Sequence, residues 1–210
     1  MELVTTDGLF QLDGGSWHVT NNIWLVGDDR EVLVFDAAHD HRPIVEAVAG
    51  RKVLGIVLTH GHNDHINAAG ALQDTVDAPI MLHPDDRMLW DAVYPDRGPD
   101  RDLEGGATLT VGGNEIGIMH TPGHSPGCCC FHAVGAGDGG KDVLFSGDTL
   151  FCGGPGATGR SYSDFPTIID SIRAKLLSLP PETIVHTGHG DSTTIGDEAP
   201  HLEEWIERGH

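Results

Sequence analysis

The chain has 210 residues, 39% of them hydrophobic, which suits one soluble domain, residues 1–210, with a sizeable core. Lys and Arg number 12 against 32 Asp and Glu, so the formal charge at pH 7 is −20. A surface that acidic repels phosphate backbones and anionic lipids, which argues against nucleic acid and membrane as partners.

Residues 1–17 contain Glu2, Asp7 and Asp13 but no Lys or Arg, unlike the basic start of a signal peptide. Residues 22–27 (NIWLVG) and 31–35 (EVLVF) are β-rich runs separated by Asp28, Asp29 and Arg30, a hairpin pattern. Residues 43–48 read as a short helix. Residues 53–58 (VLGIVL) form a continuous apolar run, as expected of a strand buried on both faces. A helix over 63–73, a strand over 80–82 and a helix over 84–93 follow, the last with Pro in its first turn.

In the second half, strands over 107–111 and 115–119 flank Gly112 and Gly113, another hairpin pattern. Residues 128–134 and 143–145 are strand-like. The longest uncharged stretch, 116–137, is broken by His, Pro and Gly and is no membrane span. Asp164 caps a helix in which Ile168, Ile169, Ile172 and Leu176 share a face. A strand over 183–185 and a closing helix over 198–208 complete the pattern, an α+β arrangement of sheets covered by helices. Cys128, Cys129 and Cys130 in a row cannot build a usual disulfide framework, and Cys152 stands apart. Structural thiols and a cytoplasmic location are the expectation.

The strongest chemical signal is HGHNDH at 60–65, between the buried strand and the next helix. Three imidazoles and a carboxylate within six residues suit Zn²⁺. In an extended turn His60 and His62 point to one side, while Asp64 and His65 open the helix and face a second point. A lone His is usually only a solvated side chain, but four ligands packed at a strand end form a constellation. Three further candidates each follow a strand-like run with Gly beside them: His124 in HTPGHSPG, Asp148 in SGDT and His189 in HTGHGD. Together they supply seven ligands, enough for two metals with water.

This pattern resembles the metallo-β-lactamase-fold superfamily, with H-x-H-x-D-H followed in order by His124, Asp148 and His189. The resemblance implies a four-layer αββα sandwich with the site at one edge of the sheets. It implies two zinc ions per chain, with iron or manganese as alternatives. His60, His62 and His124 would hold the first ion, and Asp64, His65 and His189 the second. Asp148 would bridge them, and Asp36 would support the metal loop from behind. Asp64 and Asp148 would be the catalytic carboxylates.

Within that superfamily the chain looks closest to glyoxalase II-like thioesterases, on the run GDTLF at 147–151 and the later Gly159-Arg160. Members of that branch carry a C-terminal helical extension that helps bind glutathione, whereas 21 residues follow His189 here. Residues 154–166 through 186–198 resemble small S-formylmycothiol hydrolase-like members instead. The implied reaction is hydrolysis of a small acyl thioester by metal-bound hydroxide, since metal binding lowers the pKa of water to roughly 7. A thiolate leaving group, of conjugate pKa about 8.5, departs without a general acid. The rival readings are a mononuclear iron persulfide dioxygenase using His60, His124 and Asp148, and a lactonase or β-lactamase-type hydrolase. The expected partner is a small thioester, and oligomeric state is not legible.

Residues 154–161 nearly spell a phosphate-binding P-loop, but Arg160 replaces its Lys and no helix follows directly. Arg160, Ser161 and Tyr162 are instead candidate substrate contacts, with a loop-fixing ion pair the plainer role for Arg160. The other histidines show no ligand-like spacing.

Overall fold

In the computed structural model, which describes residues 1–209, the chain folds as two compact units. The first comprises residues 1–103 and 110–114, the second 104–109 and 115–209 of the described chain.

The first unit is built on a six-stranded sheet in the order β1-β2-β3-β4-β5-β6, formed by Glu2–Leu12, Gly15–Gly27, Glu31–Phe35, Lys52–Val57, Ile80–Leu82 and Arg101–Asp102. The β2–β3 hairpin pairs as the DDR turn predicts. However, β2 is 13 residues long and pairs along its length with an 11-residue β1 that no apolar run in the sequence marks. From β3 onward the strands run parallel. Helices α1 (His41–Val48), α2 (Asn63–Ile66), α3 (Ala69–Val76) and α4 (Arg87–Val93) complete the unit. Asp40 caps α1 by accepting the Arg42 N–H. Its core gathers Ile23, Val34, Ile56, Ile66, Leu72 and Trp90.

The predicted helix over 63–73 is two helices. The amide of Ala68 donates to Ala37 O at 2.9 Å, and Ala37 N donates to His65 O at 2.9 Å. The segment after β3 takes backbone groups that a continuous helix would use internally. That break fixes where α2, with the candidate ligands Asp64 and His65, stops.

The second unit carries a six-stranded sheet in the order β14-β13-β10-β9-β8-β7. Its strands are β7 (Thr108–Val111), β8 (Asn114–His120), β9 (Cys129–Ala133), β10 (Val143–Gly147), β13 (Ile184–Thr187) and β14 (Thr193–Thr194), with a small ribbon of β11 (Leu150–Phe151) and β12 (Gly154–Pro155). Helix α5 (Phe165–Ser171) starts at Asp164, which accepts the Thr167 N–H at 2.9 Å, and Ile168, Ile169, Ile172 and Leu176 are all buried as their spacing predicts. The closing segment splits into α6 (Ile195–Glu198) and α7 (Leu202–Arg208) around Pro200, which has no N–H to carry a helix through. No helix among the described residues is long and apolar enough to cross a membrane.

Candidate metal centre

In the first unit the parallel strands β3 and β4 end side by side, bringing Asp36 next to Thr59 and His60. Asp36 has φ 64°, a left-handed conformation that Asp tolerates better than most residues. From there its carboxylate, 2% exposed, accepts the Thr59 N–H at 2.7 Å, the Thr59 hydroxyl at 3.0 Å and His65 Nδ1 at 2.8 Å. Because the Thr59 hydroxyl donates to Asp36, its oxygen accepts from His60 Nδ1, 3.0 Å away. One carboxylate therefore sets the tautomer of two histidines and places the lone pair of each on Nε2, the arrangement metal-binding imidazoles use.

Those donors are spaced as ligands. His60 Nε2 lies 3.0 Å from His62 Nδ1, against about 3.3 Å for two nitrogens on one tetrahedral zinc with Zn–N near 2.0–2.1 Å. His65 Nε2 lies 3.5 Å from Asp64 Oδ2. All four side chains are buried. Asp64 Oδ2 also accepts from Asn21 Nδ2 at 3.2 Å, and the Asn21 carbonyl contacts His39 Nε2 at 2.8 Å. The His39 ring in turn fills the space a Cβ on Gly8 would occupy, 2.1 Å from its Nδ1. Asn21 and His39 were not among the sequence-derived candidates; two adjacent amides at the mouth of an apolar strand were the available signal.

In the second unit β10 and β13 are also parallel neighbours, and Asp148 and His189 follow their C-terminal ends. Gly147, at φ 50°, turns the chain between β10 and Asp148. His124 sits in the loop between β8 and β9. That loop is held by the Thr121 N–H on Cys128 O at 2.7 Å and the Ser171 hydroxyl on Pro122 O at 2.7 Å. His124 Nδ1 contacts Ala157 O at 2.8 Å, so its ring proton faces a carbonyl and its lone pair is on Nε2. A single oxygen, Asp148 Oδ2, lies 3.6 Å from His124 Nε2 and 3.4 Å from His189 Nε2.

The sequence profile of the Metallo-beta-lactamase superfamily matches residues 17–189. The chain belongs to that superfamily. Its members bind metal ions, often two. Hydroxyacylglutathione hydrolase GloC of Haemophilus influenzae is 34% identical over 196 residues, 84% of this chain and 87% of its own length. The crystal structure of BLEG-1 B3 metallo-beta-lactamase is 31% identical, with a TM-score of 0.78 over 94% of this chain and 98% of that one. That of TTHA1623 in a di-iron-bound form is 34% identical, with a TM-score of 0.74 over 86% and 93%. The mixed α and β architecture is thus the metallo-β-lactamase fold, as the motif implies.

In this superfamily member the Gly-rich segment that resembles a P-loop has a different use. A Cβ on Gly156 would lie 1.8 Å from Asp148 O and 3.3 Å from His124 Nδ1, so only glycine lets the strand past both. Downstream, Arg160, Ser161 and Tyr162 are exposed on a turn closed by the Arg160 N–H on the Ser163 hydroxyl and that hydroxyl on Arg160 O. Cys128, Cys129 and Cys130 are buried, and burial pushes the Cys130 thiol up to about 11, against the pull of hydroxyl contacts from Thr121 and Thr149. Those thiols are buried as the expectation of structural thiols has it. Cys152 departs from the packing role expected of it, because it is exposed on the turn after β11.

Proposed function

We propose that the protein is a zinc-dependent two-metal hydrolase that cleaves a small acyl thioester of a hydrophilic low-molecular-weight thiol, S-formyl- or S-acyl-mycothiol in particular. The observation that carries the two-metal part is the single Asp148 oxygen within 3.4–3.6 Å of two different histidine donors. That spacing suits a carboxylate shared between ions. Grouped by the donors they offer, His60, His62 and His124 would hold one ion, Asp64, His65 and His189 the other, with Asp148 common to both. The donor set fits zinc: imidazole nitrogens of fixed tautomer and buried carboxylates. Iron remains the metal to compare, given the di-iron form of TTHA1623.

When bound, such ions lower the pKa of water to roughly 7 and polarise a carbonyl oxygen. The chain's own contribution is to hold the donors rigid. Asp36 and Thr59 fix the protons of His60 and His65, Ala157 fixes that of His124, and Asn21 orients Asp64. A thiolate leaves without a proton because its conjugate acid has a pKa of about 8.5, so the site needs no separate acid. An amide nitrogen would need one, which favours the thioester over a lactam. The likeness to GloC, named a hydroxyacylglutathione hydrolase, supports a hydrolase of an acylated thiol. The exposed Arg160, Ser161 and Tyr162 offer polar contacts to a sugar-bearing carrier, and binding energy remote from the carbonyl raises turnover when it improves positioning.

The test couples metal analysis to a panel of S-formyl and S-lactoyl esters of mycothiol, glutathione and coenzyme A, with a lactone and a β-lactam. The expected result is two zinc per chain, the highest kcat/KM on a mycothiol ester, and a weaker preference in Arg160→Ala. Equal rates on all three thiols would defeat the carrier assignment and leave the thioesterase. Activity on the lactone or lactam alone would defeat both. One iron per chain with oxygen-dependent turnover would favour the dioxygenase reading.

A further inference from the structure

Asp86 is a carboxyl group with no exposed surface, and no motif in the sequence singles it out. It closes the 3₁₀ turn Pro84–Asp86 and stands at the N-cap position of α4, where an Asp ordinarily accepts N–H groups of the helix it precedes. It makes no such cap bond. Its Oδ2 reaches across to accept the Gly61 N–H at 2.7 Å. Gly61 is the residue between His60 and His62, and it fits only because it has no side chain. A Cβ there would lie 2.9 Å from Leu89 Cβ and 3.0 Å from both Asp86 Cβ and Asp86 O. The peptide that carries the two histidine donors thus packs against the start of α4 and donates to its buried carboxyl, while Asp36 holds the preceding Thr59.

A helix loses stability when its N-cap side chain is spent elsewhere, and a buried carboxyl adds a desolvation cost. Both costs are met at a bond to the peptide that joins His60 and His62. We propose that Asp86 is a positioning residue for the first metal ion, holding the His60–Gly61–His62 peptide so that the two nitrogens converge. This rests on the two-metal reading above.

The test is zinc competition with a chromophoric chelator on the full chain, as wild type, Asp86→Ser, Asp86→Ala and Asp86→Asn, beside thermal melts of each metal-free protein. Serine can cap α4 but is too short to reach Gly61, so Asp86→Ser removes the brace while preserving the helix start. It decides the matter if Asp86→Ala does not fold. The wild type should show two affinities. Asp86→Ser and Asp86→Ala should weaken one of them by roughly 10–100-fold and leave the other within about threefold. Asp86→Asn, whose amide oxygen can still accept the Gly61 N–H, should recover most of the loss. Unchanged affinities in Asp86→Ser, or equal weakening of both ions in step with a lower melting point, would overturn the positioning role. A wild type that takes up no zinc would instead overturn the metal reading itself.

Discussion

Asp36→Asn isolates the device that makes two histidines into ligands. Asparagine has nearly the same size and tolerates φ 64°, so the backbone is not strained by the change. What changes is one of two oxygens. The remaining amide oxygen can keep the Thr59 N–H at 2.7 Å, but the new –NH₂ faces His65 Nδ1 and the Thr59 hydroxyl, which were both donors. His65 must then turn its Nδ1 into an acceptor and carry its proton on Nε2, where it blocks coordination. The Thr59 hydroxyl, no longer committed to a carboxylate, ceases to hold the Nδ1 proton of His60. A hydrogen bond to a charged group in a site 2% exposed contributes about 1.5–3 kcal/mol, which corresponds to a loss of roughly 10–100-fold in metal affinity. Both ions of the proposed pair should weaken, because His60 and His65 are assigned to different ones. This separates Asp36 from Asp86. Chelator competition measures the two constants, and the metal-free protein should melt about 3–12 °C lower. Zinc affinities within threefold of wild type, alongside the lowered melt, would show that Asp36 braces the fold alone and that the tautomer argument is wrong.

Two further outcomes follow from the second unit. Asp148→Ala should lower turnover by at least about 10²–10³-fold and reduce bound metal, because its Oδ2 faces both His124 and His189; metal analysis and kcat on the best ester check it, and near-normal turnover with two metals bound would sink the bridging role. Burial drives the His186 ring down to about 4, so in the metal-free protein it stays neutral while the unfolded ring titrates near 6.5. Its contribution to stability is therefore full above pH 6.5 and is lost as pH falls toward 4, about 1–2 kcal/mol after discounting partial exposure. Urea midpoints at pH 7 and 4.5 should draw closer together in His186→Asn, and an unchanged gap would refute this.

The candidate ligands were legible because coordination chemistry restricts residue type and order: HGHNDH, His124, Asp148 and His189 each follow a strand in the sequence and in the structure. The long strands β1 and β2 were not, because exposed polar residues alternate irregularly along them and no continuous apolar run marks them. The break between α2 and α3 depends on hydrogen bonds from Ala68 and Ala37, about thirty residues apart, which no local pattern encodes. Asn21, His39 and Asp86 escaped for the same reason. Each is an ordinary polar residue until the fold brings it to Asp64, to Asn21 or to the Gly61 peptide.

The segment at 153–162 shows how a misleading motif arises from a real constraint. Its glycines suggested phosphate binding because close backbone approach is what glycines permit. Here the approach is to Asp148 and His124, not to a phosphate. The same few residues then have two duties. Ala157 O holds the His124 proton, while Arg160, Ser161 and Tyr162 lie exposed on the turn that follows. The Ser163 hydroxyl closes that turn through backbone groups of Arg160. Truncating the Arg160 side chain should therefore leave the brace on His124 in place. An effect of Arg160→Ala on carrier preference, with metal content unchanged, reads as a substrate contact. A loss of metal in the same variant reads as a disturbed loop.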